Sequence, residues 1–371
     1  MDGSHILSLR LHPRDRINWH ETGLAAARIM KDEKAESYAL GNLGNAYNDL
    51  CETRKSIKFY EQVLNVSRKI GDRRSEAKAL TNLGIAYSDL GETRKGIELC
   101  EQALKISREI GDRRGEGVDL SNLGTAYFDL GEPRKAIEFY EQALEISREI
   151  GDRRGEGVDL GNLGIAYFHL GETRKAIELC EQALMILREF GDRRGKANVL
   201  VNLGLAFSDL AETLKAIEFC EEALSIVRDI GDRRKESECL CNLGKAYLNS
   251  KETDKAIDYC TKSMDLARQI EYIRVEGEAL CTLSKALAAE GDLQNGLNHC
   301  DQALKIFKDI EYAKGEGEAL FAKANALHQI VKNEEAAQCA QEALQIFQRI
   351  ESHLAEKVRQ QLSEWGKCQE S

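Results

Sequence analysis

A chain that repeats itself every 40 residues without insertion or deletion is unlike an ordinary globular domain. Each copy has to bury its apolar face on its neighbours, so the expected fold is a stacked array. From about residue 34 to residue 351 one frame runs through eight copies of the 371-residue chain. The triplet Asn-Leu-Gly stands at Asn42-Leu43-Gly44 and starts again at Asn82, Asn122, Asn162, Asn202 and Asn242. Two further copies keep the frame and lose the triplet, at Leu283-Ser284 and Lys323-Ala324.

Each copy predicts two helices. In the third, the first helix is expected from about Glu116 to Leu130, with an apolar stripe of Leu120, Leu123, Tyr127 and Leu130 at spacings of three and four. Gly131-Glu132-Pro133 breaks it, and proline suits the first turn of the next helix. The second is expected from about Arg134 to Ile150, burying Ala136, Ile137, Tyr140, Ala143, Leu144 and Ile146. Gly71, Gly111, Gly151, Gly191 and Gly231 follow the last apolar residue of a second helix, where a left-handed cap is expected, and an Asp follows each to cap the next helix. Glu271, Glu311 and Glu351 replace these glycines, so the array changes character near residue 270. Gly44, Gly84 and Gly124 sit inside first helices. Glycine there costs about 1 kcal/mol relative to alanine, and close approach of the partner helix is the reason to keep it.

Composition agrees with an all-α chain: 2 prolines, 6% aromatic residues and 31% charged ones. A net charge of -11 gives nucleic acid no electrostatic foothold. Ile6, Leu7 and Leu9 are too short an apolar run for a signal core, and no stretch approaches the roughly 20 residues that span a bilayer. A cytoplasmic protein without membrane insertion is the expectation. Of 11 cysteines, Cys100, Cys180, Cys220, Cys260 and Cys300 share one phase with Tyr60 and Tyr140, which marks a packing position. Equivalent Cα atoms about 10 Å apart exceed the roughly 7 Å limit of a disulfide, so buried reduced thiols are expected. Cys239, Cys241 and Cys260 have no histidine at a metal-binding spacing. No Gly-x-Ser-x-Gly, Walker loop or His-Glu-x-x-His stands out, so neither an enzyme nor a cofactor is expected. The recurring Gly-Asp-Arg-Arg, as at Gly151 to Arg154, is either a phosphate-binding edge or a helix cap with solvated arginines, the latter being the simpler.

Leu120-x2-Leu123-Gly124-x2-Tyr127, followed by Ala136-x3-Tyr140 and Ala143, resembles the tetratricopeptide repeat signature. It departs in having Leu for the first Trp and Arg148 for the closing proline, and it runs to 40 residues rather than about 34. This longer form is similar to the repeats of Pins/LGN polarity adaptors, kinesin light chains and the arrays of prokaryotic signalling ATPases. The resemblance implies a right-handed α-solenoid of stacked antiparallel helix pairs that binds other proteins. In this frame residues 1–33 are an N-terminal tail and an unpaired second-type helix, residues 34–351 the eight repeats, and residues 352–371 a capping helix and tail. Residues 1–10 match nothing, and the chain fits a fragment of something longer.

The face of each first helix opposite its apolar stripe is the expected groove. Asn42, Asn82, Asn122, Asn162, Asn202 and Asn242 form a row there; in the family, asparagines at this phase resemble those that clamp peptide backbones. Each could equally bond the neighbouring helix and shape the array. Apolar groups gather at Ile85, Val118, Val158, Ile165 and Leu205, with Phe128 and Phe168 on the shoulder. Asp49, Asp89, Asp129 and Asp209 form an acidic line broken by His169, and Lys245 and Lys285 follow, with Glu238, Glu278 and Glu318 nearby. The expected partner is an extended or helical peptide segment, partly basic and apolar, with an acidic end; self-association stays open. The alternatives are a sensor array of a larger ATPase or protease system and, last, an enzyme built on such repeats.

Overall fold

The computed structural model describes residues 13–350 and 352–369. The unmatched start at residues 1–10 and the helix-end role of Glu351 lie outside the described residues. Eighteen helices and no strand occur among the described residues. Helix α1 (Pro13–Met30) packs on the helix that follows it; then come the pairs α2 (Glu33–Asp49) with α3 (Thr53–Ile70) and α4 (Arg73–Asp89) with α5 (Thr93–Glu109), the helices α6 (Arg113–Asp129) and α7 (Pro133–Glu149), and the pair α8 (Arg153–His169) with α9 (Thr173–Glu189). Then come α10 (Arg193–Asp209) with α11 (Thr213–Ile230), α12 (Arg233–Asn249) with α13 (Thr253–Gln269), α14 (Ile273–Glu290) with α15 (Leu293–Asp309), and α16 (Ala313–Gln329) with α17 (Asn333–Arg349). Helix α18 (Leu354–Gln369) closes the chain. Two compact units result. Unit one is Met1–Ala126 with Glu145–Ile150, and unit two is Tyr127–Leu144 with Gly151–Ser371.

The first helix of the third copy starts at Arg113, three residues before the expected Glu116, because the cap sits at Asp112 and the two arginines form the first turn. Asp72, Asp152, Asp192 and Asp232 each accept a hydrogen bond from the backbone N–H three residues on. The glycines before them take φ from 62° to 72°. Glu271 and Glu311 adopt the same left-handed region at φ 53° and 54°, at a cost of about 1 kcal/mol or more each. Tyr272 and Tyr312 stand where the capping Asp stood, and neither gives a side-chain cap.

Close helix approach accounts for the mid-helix glycines. A Cβ on Gly84 would stand 2.5 Å from Cys100 Sγ and 2.9 Å from the Gly96 carbonyl oxygen. One on Gly204 would stand 2.5 Å from Cys220 Sγ. Ser284 fills the same position with its hydroxyl 2.8 Å from Cys300 Sγ. Where a repeat carries one, the periodic cysteine is therefore the surface on which the first helix rests, and Tyr60 takes that place beneath Gly44. All described cysteines are free thiols, and burial pushes those of Cys100, Cys180 and Cys220 up to about 12. Among the described residues no group of three or more side chains could hold a metal ion, and no helix is long and apolar enough to cross a membrane.

Two ladders were not expected from the sequence. Aromatic rings stack within pairs, Tyr47 on Phe59 in unit one and Phe207 on Phe219 and Tyr247 on Tyr259 in unit two, with centroids 5.2–5.4 Å apart. Lys95 lies 3.6 Å over the Tyr87 ring and Lys175 3.5 Å over that of Tyr167, a cation–π contact. The Gly-Asp-Arg-Arg arginines are tied to protein. In unit one Arg73 joins Glu76 at 2.7 Å and Glu109 at 2.6 Å, and Arg74 joins Asp112 at 2.9 Å. In unit two Arg154 reaches Asp192 at 2.6 Å and Arg194 reaches Asp232 at 3.0 Å. Arg74, Arg154 and Arg194, each the second arginine of its motif, thus hold the capping Asp of the next repeat. Unit one also buries Asp119, which accepts hydrogen bonds from Thr81 Oγ1 and Ser107 Oγ at 2.6 Å each. Burial raises its carboxyl to about 6 despite those two hydroxyls.

Candidate functional site on the first helices of unit two

In unit two the first helices α8, α10, α12, α14 and α16 touch in succession. Contacts between distant repeats show which way this row bends. Lys314 Nζ, at the start of α16, lies 3.0 Å from His169 Nε2 at the end of α8. His353 Nδ1 donates to the carbonyl of His169 at 3.2 Å. The ring of His169 is 4.4 Å from that of Phe128, and the ring of Phe168 is 6.4 Å from that of His353. First helices far apart in sequence meet on one side, so they line the inside of the curve of unit two.

That inner face carries a network of charge that grows from the change in sequence near residue 270. Arg154 and Arg194 each find a capping Asp 38 residues on. The corresponding residue is Tyr312 for Arg274 and Ser352 for Lys314, and neither offers a carboxylate. Both cations turn instead to partners within unit two. Arg274 donates to Tyr272 Oη at 2.8 Å and pairs with Glu278 at 3.4 Å and Glu238 at 3.5 Å. Tyr272 in turn donates to Glu238 at 2.6 Å, and Lys235 pairs with Glu238 at 2.7 Å. Lys245 pairs with Glu278 at 3.1 Å, and Lys314 with Glu318 at 3.7 Å.

Burial alone would raise the Glu278 carboxyl, but Lys245, Arg274 and Lys314 hold it down to about 2. His169 is pushed well below the usual histidine range, first by burial and then by Lys314, His353, Arg274 and Lys245. It is therefore a neutral ring among cations.

The expected site residues divide as follows. Asn202 donates from its amide to the Gly161 carbonyl of the preceding first helix at 3.1 Å, so part of its hydrogen-bonding capacity shapes the array. Asn122 donates to Val118 of its own helix at 2.9 Å, and the amide nitrogen of Asn42 is buried with no hydrogen-bond partner. Asn82 and Asn162 are half-buried, and Asn242 is buried. Ile85 in unit one, and Ile165 and Leu205 in unit two, are half-buried, while Val118 and Val158 are exposed. Phe128 and Phe168 pack with His169. Asp129 lies in the field of Arg274 and Tyr312, and Asp89 is half-buried in unit one. Asp49 pairs with Arg16, and Asp209 accepts from Thr173 at 2.8 Å, so protein groups engage these two members of the acidic line. Lys245 is paired with Glu278, whereas Lys285, at the same helical phase one repeat on, is exposed beside Cys281 and Glu318.

Sequence reasoning missed Arg274, Lys314, Tyr272, Tyr312 and His353. The available signal was the joint loss of Asp at positions 272 and 312 with retention of a cation at 274 and 314.

The tetratricopeptide repeat model matches residues 35–95, 75–149, 158–229 and 210–269. No curated protein matches the chain. Among solved structures, the Rap conjugation gene regulator of the plasmid pLS20, in complex with the Phr* peptide, is similar at TM-score 0.65 and 16% identity, over 77% of each chain. A Rap protein complexed with Competence and Sporulation Factor is similar at TM-score 0.58 and 14% identity, over 90% of this chain and 98% of the other. A signal-transduction ATPase with numerous domains and a tetratricopeptide repeat sensor, from Pyrococcus horikoshii, is similar at TM-score 0.51 and 18% identity, over 94% of this chain and 55% of the other. At such identities the likeness is one of fold. With its helix pairs in one 40-residue frame and the repeat model matching well over half its length, the chain belongs to the tetratricopeptide repeat family.

Proposed function

We propose that this chain is a protein-interaction scaffold, and that the inner face of unit two seats a peptide segment of a partner. The observation that supports this most is the accumulation of Ile165, Leu205, Lys245 and Lys285 on the side of α8, α10, α12 and α14 away from the Leu163, Leu203 and Leu243 core. Stacking the repeats does not demand side chains of these kinds there. Asn162 and Asn202 run beside them, half-buried, as the amides to engage a peptide backbone. A Rap conjugation gene regulator of similar fold is described in complex with the Phr* peptide, which favours the same use here. Unit one repeats the pattern at Asn42, Asn82, Asn122, Ile85 and Asp89. There, and at Asp129 in unit two, basic residues of a partner would be favoured.

A second reading is a sensor array within a larger signalling ATPase, favoured by the Pyrococcus horikoshii protein that this chain matches over 94% of its own length. Both readings place the ligand on the same face and differ in what the bound array controls.

The test is selection of binding peptides from a displayed random library, followed by titration against variants. Leu205→Glu should weaken every selected peptide at least tenfold with helicity kept, since it sets an unpaired charge under an apolar contact. Asn162→Ala with Asn202→Ala should weaken them by a similar factor through lost backbone hydrogen bonds. Peptides that bind wild type and both variants equally would place the site elsewhere.

A further inference from the structure

We infer that the ligand of unit two carries an acidic group, held at Lys285 and Lys245, with an apolar stretch lying across Leu205 and Ile165. This rests on the groove reading above and adds the chemistry and direction of its occupant. Along one helical phase of successive first helices the side chains run Ile165, Leu205, Lys245, Lys285. That row is an apolar half followed by a cationic half. The simpler explanation, that the lysines are solvated surface groups, fits their type. It does not fit their surroundings.

Lys235, Lys245, Arg274, Lys285 and Lys314 share this region with the carboxylates Glu238, Glu278 and Glu318, and Asp129 stands near Arg274. Each carboxylate of the three is engaged. Glu238 takes Lys235, Arg274 and Tyr272; Glu278 takes Lys245 and Arg274; Glu318 takes Lys314. Among the described residues Lys285 has no hydrogen bond or ion pair, and it is exposed; Glu318, which pairs with Lys314, is the carboxylate whose charge acts on it. The network therefore ends on an unpaired cation next to Lys245, with cations in excess. An incoming carboxylate would complete it, and a basic group there would meet Lys245 and Lys285 together. Lys285 is also the cheapest of these cations to use, because no existing ion pair has to break.

The experiment uses the full chain and three fluorescein-labelled hexapeptides of alternating leucine and alanine. One ends in an amidated glutamate, one in an amidated glutamine, and one in an alanine with a free carboxylate. Wild type should bind the glutamate peptide at least tenfold more tightly than the glutamine peptide, with the preference shrinking as salt rises. Lys285→Gln should reduce this preference and Lys285→Glu should abolish it, with circular dichroism unchanged. Tighter binding of the free-carboxylate peptide than of the glutamine peptide would assign the acid to a chain terminus as well as to a side chain. Equal affinity for glutamate and glutamine peptides, or an undiminished preference in Lys285→Glu, overturns the proposal. If Leu205→Glu still weakens both peptides in that case, the groove reading stands without the acidic anchor. Failure of the glutamate peptide to bind at all also overturns the anchor, whereas failure of the groove itself would show as library peptides indifferent to Leu205→Glu.

Discussion

His169 Nε2 and Lys314 Nζ lie 3.0 Å apart although 145 residues separate them in sequence. The contact joins the end of one first helix to the start of another four repeats later. It has a consequence for titration. His169 is held below its ordinary pKa by burial and by Lys314, His353, Arg274 and Lys245. Below about pH 6.5 the unfolded chain takes up a proton at this residue and the folded chain does not. Stability is therefore complete above that pH and lost as the pH falls. The expected result is that wild type loses stability relative to His169→Gln between pH 7 and pH 5, by up to about 1.4 kcal/mol per pH unit in denaturant titrations. Parallel curves for the two proteins would show that His169 titrates normally.

Asp119 has the opposite sign. Its carboxyl is raised to about 6 by burial, against an ordinary value near 3.8. The folded state keeps its proton where the unfolded state has released it, so stability falls as pH rises from about 4 to 6 and stays lower beyond. Asparagine can still accept from Thr81 and donate to Ser107. Asp119→Asn is expected to match wild type near pH 4 and to exceed it at pH 7 by up to about 3 kcal/mol in urea unfolding. A variant less stable than wild type at pH 7 would mean that the ionised carboxylate is the favoured form.

Close helix approach is tested at Gly164. A Cβ there would overlap Cys180 Sγ and stand 3.2 Å from the Ala176 carbonyl oxygen. Gly164→Leu should cost about 3 kcal/mol by overpacking, whereas Ala in place of the exposed Glu181 should change stability by less than about 0.5 kcal/mol. Similar melting temperatures for the two variants would contradict the helix register.

Cys100, Cys180, Cys220, Cys239, Cys241, Cys260, Cys281 and Cys300 are buried, and Cys51 and Cys339 are partly open. With thiols such as those of Cys180 and Cys220 raised to about 12, almost no thiolate is present at pH 8. Among the described cysteines, a thiol reagent followed by mass spectrometry should label Cys51 and Cys339 first and the eight buried residues only on unfolding. Rapid native labelling at Cys180 or Cys220 would contradict their packing role.

The repeat frame, the helix pairs and the caps were legible because they are local. Gly71 with Asp72, or Gly84 beneath Cys100, lie within one or two helices of each other. Lys245 and Lys285 could be placed by helical phase for the same reason. The cluster of His169, Lys314 and His353 could not, since it depends on a small rotation per repeat summed over several repeats. Arg274 and Lys314 were missed because they occupy the position of Arg154 and Arg194, which hold the edge of the array. Only the loss of the partner Asp separates the two cases.

The inner face of unit two as the binding surface is tested most directly by photo-crosslinking. A library-selected peptide with a single benzophenone side chain would be irradiated in complex with the full chain and the adducts mapped by mass spectrometry. The expected adducts fall on α8, α10, α12 and α14, around Ile165, Leu205 and Lys245, and disappear with excess unlabelled peptide. Competed adducts confined to the second helices α9, α11 and α13 would contradict the assignment.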